Sequence, residues 1–128
     1  MAKGRQEFVR FCVVGTIGFV ADAGLTLLFT QGVELAPLPS RALAFLIAAT
    51  ITWRLNQRFT FRSSSSSSTW LPYVLLTAVG ALINIGLYAA WLSVSGSSAM
   101  NILIGVAAGS LGALVFNFTV SRNWIFTK

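Results

Sequence analysis

The chain repeats itself, and this repeat constrains its fold more than any other feature. The pattern Asp22-Ala23-Gly24-Leu25 recurs 62 residues later as Asn84-Ile85-Gly86-Leu87, each time within a long apolar run. The same offset holds upstream for Phe8 and Trp70, Phe11 and Tyr73, Val13 and Leu75, and Gly18 and Gly80. An offset of 65 pairs residues near the end of each half: Trp53 with Phe118, Asn56 with Ser121, Phe59 with Trp124, and Phe61 with Phe126. The pattern predicts a duplicated two-helix hairpin with one polar residue deep in an apolar helix.

The composition predicts that these helices lie in a membrane. Hydrophobic residues make up 55% of the chain and charged residues only 9%, against roughly 25% charged in soluble domains. About 20 apolar residues cross a hydrocarbon core of roughly 30 Å. We therefore predict four transmembrane helices, at 8–31, 38–55, 71–93 and 100–120. The second is the shortest, and its flanking Arg41 and Arg54 either reach opposite interfaces or leave one guanidinium below the head groups beside an anion.

The cationic residues predict the orientation. With four spans, eight of them fall on one side of the membrane, and only Arg41 falls on the other: Lys3, Arg5, Arg10, Arg54, Arg58, Arg62, Arg122 and Lys128. The positive-inside rule makes the crowded side cytoplasmic, with both termini inside. This topology and the attraction to anionic lipid account for the net charge of +6 without a nucleic-acid partner.

The predicted fold is an all-α integral membrane domain covering residues 1–128. Repeat one covers 8–62 and repeat two 70–126, and residues 63–69, mostly serine, form a flexible linker between them. Because this linker lies on the cytoplasmic side, both hairpins run in the same direction. They are therefore parallel repeats about an axis along the membrane normal.

The inventory of reactive side chains argues against an enzyme. The chain has no His, and its single Cys12 lies inside a predicted span, so a zinc site or a Cys/His pair is not expected. Glu7, Asp22 and Glu34 are far apart in the sequence, and no glycine-rich phosphate loop is present. We expect no catalytic residues, no metal and no cofactor.

Asp22 and Asn84 are the candidate polar site at mid-membrane. A carboxylate at the centre of a spanning helix costs about 2.5–3.5 kcal/mol on insertion scales, so it usually faces the interior of a bundle. Asp22 either contacts a substrate or only holds the bundle together, protonated or in a structural ion pair with Arg41 or Arg54. Asn84 either contacts the same substrate or serves interhelical hydrogen bonding. If the repeats share an axis, the two side chains face each other at one depth.

A second candidate site lies where the second helix of each half leaves the membrane. Aromatic side chains there predict an interfacial belt: Trp53, Phe59, Phe118 and Trp124. The accompanying arginines and amides suit a lipid phosphate at the interface: Arg54, Asn56, Arg58, Asn117 and Arg122. Small residues spaced by four, such as Gly105 and Gly109, predict close helix packing or an interface between copies. Because four short helices enclose little volume, we expect a homo-oligomer, a dimer or larger.

Three segments carry a family resemblance that spans nearly the whole chain. They are Arg10-Phe11-x3-Gly15-x2-Gly18-x3-Asp22, Asn56-x-Arg58-Phe59-Thr60-Phe61, and Asn117-Phe118-x2-Ser121-Arg122-x-Trp124-x-Phe126. The chain resembles the GtrA family of small polytopic membrane proteins. Thr52 and Ser121 stand where family members commonly carry Asn, so each half keeps a different part of the polar pattern.

The resemblance implies a role in lipid-linked sugar pathways at the bacterial cytoplasmic membrane. Members are thought to move a polyprenyl-phosphate-linked monosaccharide to the outer leaflet, beside a membrane glycosyltransferase that makes it. Arg41 would then receive the phosphate on the outer side, or simply cap a short helix at the interface. Two alternatives remain: a non-transporting accessory subunit of a glycosyltransferase, and a proton-coupled exporter like the small multidrug resistance proteins. The many arginines disfavour the exporter, because they would repel a cationic substrate.

Overall fold

The protein is a bundle of four long helices. The computed structural model describes residues 2–63 and 67–127, except for the side chains at positions 37 and 38. The middle of the predicted serine linker, residues 64–66, lies outside the described residues. Helix α1 covers Ala2–Leu27, α2 Pro37–Leu55, α3 Trp70–Ser95 and α4 Ala99–Val120. The predicted all-helical fold with four helices is thus confirmed.

The helix ends differ from the prediction mainly at the start of α1. This helix begins at Ala2 and not near Phe8, because apolarity marks where a helix enters the membrane and not where it begins. Three helices also end in a wider turn with i→i−5 hydrogen bonds, at Leu28–Gly32, Asn56–Thr60 and Ser121–Ile125. These turns extend α1, α2 and α4 by about one turn each.

The two interhelix turns have local causes in the sequence. Gly96 has a φ of 87°, a conformation that glycine adopts without steric cost, and it ends α3. Ser98 then caps α4, because its hydroxyl accepts a hydrogen bond from the backbone N–H of Asn101 at 3.2 Å. Residues 33–36 form the first turn, where Glu34 has a φ of 62°.

Among the described residues, three helical segments are long and apolar enough to cross a membrane: Ala2–Gly32, Ser67–Ser95 and Ala99–Ile125. Helix α2 is not one of them, because Arg41 and Arg54 lower its hydropathy. The large side chains on the outside of the bundle are apolar, including Phe19 and Leu82, which are 73% and 69% exposed. Such an exterior suits lipid and not water.

The helices pack as two hairpins, with α1 against α2 and α3 against α4. Within the first hairpin, α2 runs antiparallel to α1 over most of its length. A Cβ on Gly18 would collide with Thr52 across the α1–α2 contact, and a Cβ on Gly80 would collide with Asn117 across the α3–α4 contact. Glycine therefore permits the close approach at both places. The two contacts lie at the offsets of 62 and 65 that appear in the sequence.

The core is small and lies at one end of the bundle. We call this the terminal end, because it holds the start of α1 and the end of α4, and we call the opposite end the turn end. Four rings form an aromatic cluster there: Phe11, Phe61, Tyr73 and Phe126. Phe61 and Phe126, one from the end of each hairpin, stack with centroids 5.3 Å apart and an interplanar angle of 15°. The cluster joins the two hairpins below the polar interior described next.

Candidate functional site

Asp22 forms an ion pair with Arg41 on the neighbouring helix. Because α1 and α2 are antiparallel, Arg41 near the start of α2 lies beside the C-terminal part of α1, towards the turn end. Asp22 Oδ1 lies 3.8 Å from Arg41 Nη1, and the two side chains are 26% and 63% exposed. Oδ1 itself is buried, and no residue in the described chain donates a hydrogen bond to it. Of the two predicted ion-pair partners, the structure selects Arg41, while Arg54 donates a hydrogen bond to Gln57 Oε1 at 3.2 Å.

Asp22 and Asn84 line one cavity between the hairpins. This carboxylate cavity has a volume of about 460 Å³, and its polar lining is Asp22, Arg41, Asn84 and Tyr88. Asn84 packs tightly against α4, because a Cβ on Gly109 would collide with both its side chain and its backbone carbonyl. The structure thus places at one cavity the two polar residues that the repeat pairs, together with the arginine near the turn end.

A second cavity, closer to the terminal end of the bundle, is lined by hydroxyls and amides. This amide cavity has a volume of about 250 Å³, and polar side chains from all helices but α1 line it: Thr52, Asn56, Tyr73, Thr77, Asn84, Ser110 and Asn117. Both hairpins contribute to it. Since Asn84 belongs to both cavities, the two adjoin at that residue.

A hydrogen-bonded chain fixes part of the amide cavity. Asn56 Nδ2 donates to the Tyr73 hydroxyl at 2.9 Å, and this hydroxyl donates to Thr52 Oγ1 at 3.1 Å. Thr60 in turn donates to Asn56 Oδ1 at 2.7 Å. On the opposite wall, Asn117 Oδ1 is buried and has no hydrogen-bond donor among the described residues. This oxygen packs against Gly80, so its hydrogen-bonding capacity is unused in this conformation.

A third, smaller cavity of about 200 Å³ lies along α1 and adjoins the other two. It shares Asp22 with the carboxylate cavity and Thr52 and Thr77 with the amide cavity. Its remaining lining is small or aromatic, including Gly15 and Gly18. The three cavities therefore form a series that runs from Arg41 near the turn end down to the aromatic cluster.

The predicted interface residues separate into two groups. Asn56 and Asn117 lie in the interior, where they line the amide cavity. Arg58 is exposed, and Arg122 Nε donates to Glu7 Oε1 at 2.7 Å. Neither contributes to the series of cavities.

The predicted aromatic belt divides in the same way. Trp124 and Phe59 are exposed by 80% and 48%, as an interfacial position requires. Trp53 instead donates its indole N–H to the Thr69 hydroxyl at 2.9 Å. Phe118 packs edge-on against Phe11 with centroids 5.5 Å apart.

Sequence reasoning missed several polar residues of the interior. Tyr73 and Thr77 correspond to Phe11 and Gly15 at the 62-residue offset, so the second copy gains a hydroxyl at both positions. A comparison of the copies for such gains would have identified both residues. Ser110 is a lone hydroxyl in an apolar helix and gives a weaker signal.

The chemistry of this interior is that of hydrogen bonding. Amides and hydroxyls both donate and accept, so they suit a neutral ligand rich in hydroxyl groups. Among the described residues, no three His, Cys, Asp or Glu side chains come together as a metal site requires. Among the described residues, the only charged side chains that line the three cavities are Asp22 and Arg41, towards the turn end.

Comparison with known proteins identifies the family. No solved structure matches the chain. The family model of the GtrA/DPMS transmembrane domain matches residues 10–126, nearly the entire chain. This match confirms the resemblance seen in the three sequence segments. Proteins with this domain act in glycan and lipid-linked sugar pathways, and the GtrA family is generally not catalytic. The chain is a multi-pass membrane protein and belongs to the GtrA/DPMS transmembrane-domain family.

Proposed function

We propose that this protein translocates a polyprenyl-phosphate-linked monosaccharide across the bacterial cytoplasmic membrane for cell-surface polysaccharide synthesis. The observation that carries the proposal is the series of three cavities inside an apolar helical bundle. Polar interiors at membrane depth are costly, so they serve a polar ligand or ion that passes through. Membership in a family of lipid-linked sugar pathways makes a sugar head group the ligand of choice.

The proposed architecture is a pair of parallel repeats with both termini in the cytoplasm. The equivalent contacts Gly18–Thr52 and Gly80–Asn117 support the repeat. So do the matching wide turns before Phe61 and Phe126, whose N–H groups each donate to the fifth preceding carbonyl at 2.8 Å. Because α2 lies along α1, we infer that it also crosses the membrane. The terminal end then carries the excess of cations and faces the cytoplasm.

In this proposal, the sugar, the prenyl tail and the phosphate of the lipid each contact a different region of the protein. The sugar hydroxyls exchange water for the amides and hydroxyls that line the amide cavity. The prenyl tail remains in lipid between the hairpins. Near the turn end, the half-exposed Arg41 attracts the phosphate, and Asp22 competes with the phosphate for the guanidinium. This competition lets the phosphate leave Arg41 after it has arrived.

The same ion pair argues against a proton-coupled exporter of cations. In such a protein the carboxylate in the first helix binds the cationic substrate. Here Arg41 already lies beside Asp22 and lines the same cavity, so it would repel a second cation. The ligand that this arrangement favours is neutral in the interior and anionic near Arg41. A membrane glycosyltransferase that makes the lipid is the expected partner, and a homo-oligomer is the expected assembly.

A scrambling assay tests the proposal. Purified protein is placed in phosphatidylcholine liposomes that contain a fluorescent polyprenyl-phosphate sugar, and a membrane-impermeant quencher reports how fast inner-leaflet lipid becomes accessible. We expect wild type to accelerate exchange and Asn84→Leu, of similar volume, to abolish most of it. Ser93→Leu is the matched control, because Ser93 is an exposed polar residue of the same helix that lines none of the three cavities.

Two results would contradict translocation. One is a folded wild-type protein that fails to accelerate exchange with several different sugars, which would favour the accessory-subunit alternative. The other is equal activity of Asn84→Leu and Ser93→Leu, which would place the path outside the cavities.

A further inference from the structure

A fourth cavity lies at the terminal end, beyond the aromatic cluster. It has a volume of about 220 Å³, and the start of α1 and the end of α2 line it: Lys3, Gln6, Glu7, Arg10, Thr60, Phe61 and Arg62. We call it the basic cavity. Three cationic side chains line it: Lys3 and Arg10, two turns apart on α1, and the distant Arg62 from the segment after α2. The residues that the sequence predicted for the phosphate do not include Lys3, Arg10 or Arg62; they are Arg41, Arg54, Asn56, Arg58, Asn117 and Arg122.

The charges around this cavity do not balance. Glu7 is its one acidic lining residue, and its side chain is only 8% exposed. Glu7 Oε1 already accepts a 2.7 Å charged hydrogen bond from Arg122, which approaches from α4. Among the described residues, no carboxylate lies within ion-pair distance of Lys3, Arg10 or Arg62. Three cations around one small cavity repel each other unless an anion lies between them.

Two further features hold the cations in place. The Arg10 guanidinium lies over the ring of Phe59, 5.6 Å from its centroid, which limits its orientation. Arg62 has a φ of 50°, in the left-handed region that residues other than glycine rarely adopt. This conformation directly follows the wide turn at the end of α2 and Phe61. Strained backbone of this kind is concentrated at ligand sites.

We propose that the basic cavity binds a phosphate group, and that its source is the phosphate of the carrier lipid before its sugar enters the interior. Guanidinium groups offer paired N–H donors that match phosphate oxygens, and Lys3 adds a point charge. The aromatic cluster borders both this cavity and the amide cavity: Phe61 lines the former, and Phe11 and Tyr73 line the latter. The assignment of the lipid source rests on the proposed translocation, whereas the phosphate chemistry rests on the cations alone.

Equilibrium binding to the full chain in phosphatidylcholine nanodiscs tests the site. The probe is geranyl phosphate, with geraniol, inorganic phosphate and phosphatidylglycerol as competitors. We expect Arg10→Gln and Arg62→Gln to weaken geranyl phosphate binding by about tenfold each, since each removes a charged hydrogen bond. Arg5→Gln, an exposed cation of the same helix end that does not line the cavity, should change it by less than about twofold. Arg10→Lys keeps the positive charge but lacks the paired N–H donors of the guanidinium. Because this conservative variant is expected to fold, it serves if Arg10→Gln does not.

The outcomes separate the site from its ligand source. Competition by inorganic phosphate as strong as by geranyl phosphate would support a phosphate site that takes free phosphate. The site would be overturned if geraniol or phosphatidylglycerol competed as strongly as unlabelled geranyl phosphate. It would also be overturned if Arg5→Gln weakened binding as much as Arg10→Gln and Arg62→Gln. Binding that depends on Arg10 and Arg62 in a protein that does not scramble lipid would uphold the site and reject translocation. Scrambling without such binding would do the reverse.

Discussion

The first hairpin places a charged side chain, Asp22, at the polar interior, whereas the second places a neutral amide, Asn84, there. Asp22 is paired to Arg41 across the α1–α2 contact, while Asn84 is packed against Gly109 across the α3–α4 contact. Position 44, which corresponds to Gly109 at the 65-residue offset, holds a fully buried alanine. Under the proposed repeat, the two hairpins share their close helix packing and differ in their polar chemistry. One half supplies electrostatics near the turn end, and the other supplies tight, neutral hydrogen bonding.

The largest test of this comparison is Gly109→Val. The added side chain collides with the side chain and the backbone of Asn84, so we expect a loss of about 1–3 kcal/mol or a failure to fold. Gly86→Val is the control, since a Cβ there meets no atom within 4 Å. Thermal unfolding in detergent measures both variants. Equal midpoints for the two would show that the α3–α4 contact does not depend on glycine.

The next test is Asp22→Asn in the first hairpin. Because the Arg41 side chain is 63% exposed, the guanidinium can be solvated when its partner is neutral, and the loss of stability should stay below about 1 kcal/mol. Scrambling should fall about tenfold, because a phosphate on Arg41 no longer meets a competing carboxylate. Unfolding and scrambling are measured on the same preparation. A destabilised variant whose folded fraction scrambles normally would make the ion pair purely structural.

The smallest expected effect is that of Tyr73→Phe, which gives the second hairpin the residue found at position 11 of the first. The change removes the hydroxyl between Asn56 and Thr52, and such interhelical bonds contribute on average about 0.6 kcal/mol in membrane proteins. Tyr88→Phe serves as the control, since no hydrogen bond to the Tyr88 side chain occurs among the described residues. Thermal unfolding in detergent measures both variants, and an equal loss of stability in the two would show that the hydrogen bonds through the Tyr73 hydroxyl contribute nothing specific.

Apolar runs and the internal repeat were sufficient to predict the four helices and to pair Asp22 with Asn84. Both features can be read directly along the sequence. The apolar runs follow from the cost of burying polar groups in lipid. The interior position of Asn56 was not predictable in this way, because an amide followed by arginine looks interfacial. It becomes interior only because the aromatic cluster closes the bundle beneath it. The convergence of Lys3, Arg10 and Arg62 was equally hidden, since it depends on a left-handed residue after a wide turn.

The ion pair between Glu7 and Arg122 has a consequence for the order of the two hairpins along the chain. It holds the second turn of α1 next to the wide turn that follows α4, at the end of the bundle where α2 ends and α3 begins. The spatial neighbours of each helix would thus be unchanged if the N-terminal and C-terminal ends of the chain were joined by a peptide linker, with Phe126 kept, and the chain were opened between 63 and 67. A circularly permuted protein, or the two hairpins expressed as separate polypeptides, is therefore expected to assemble the same interior.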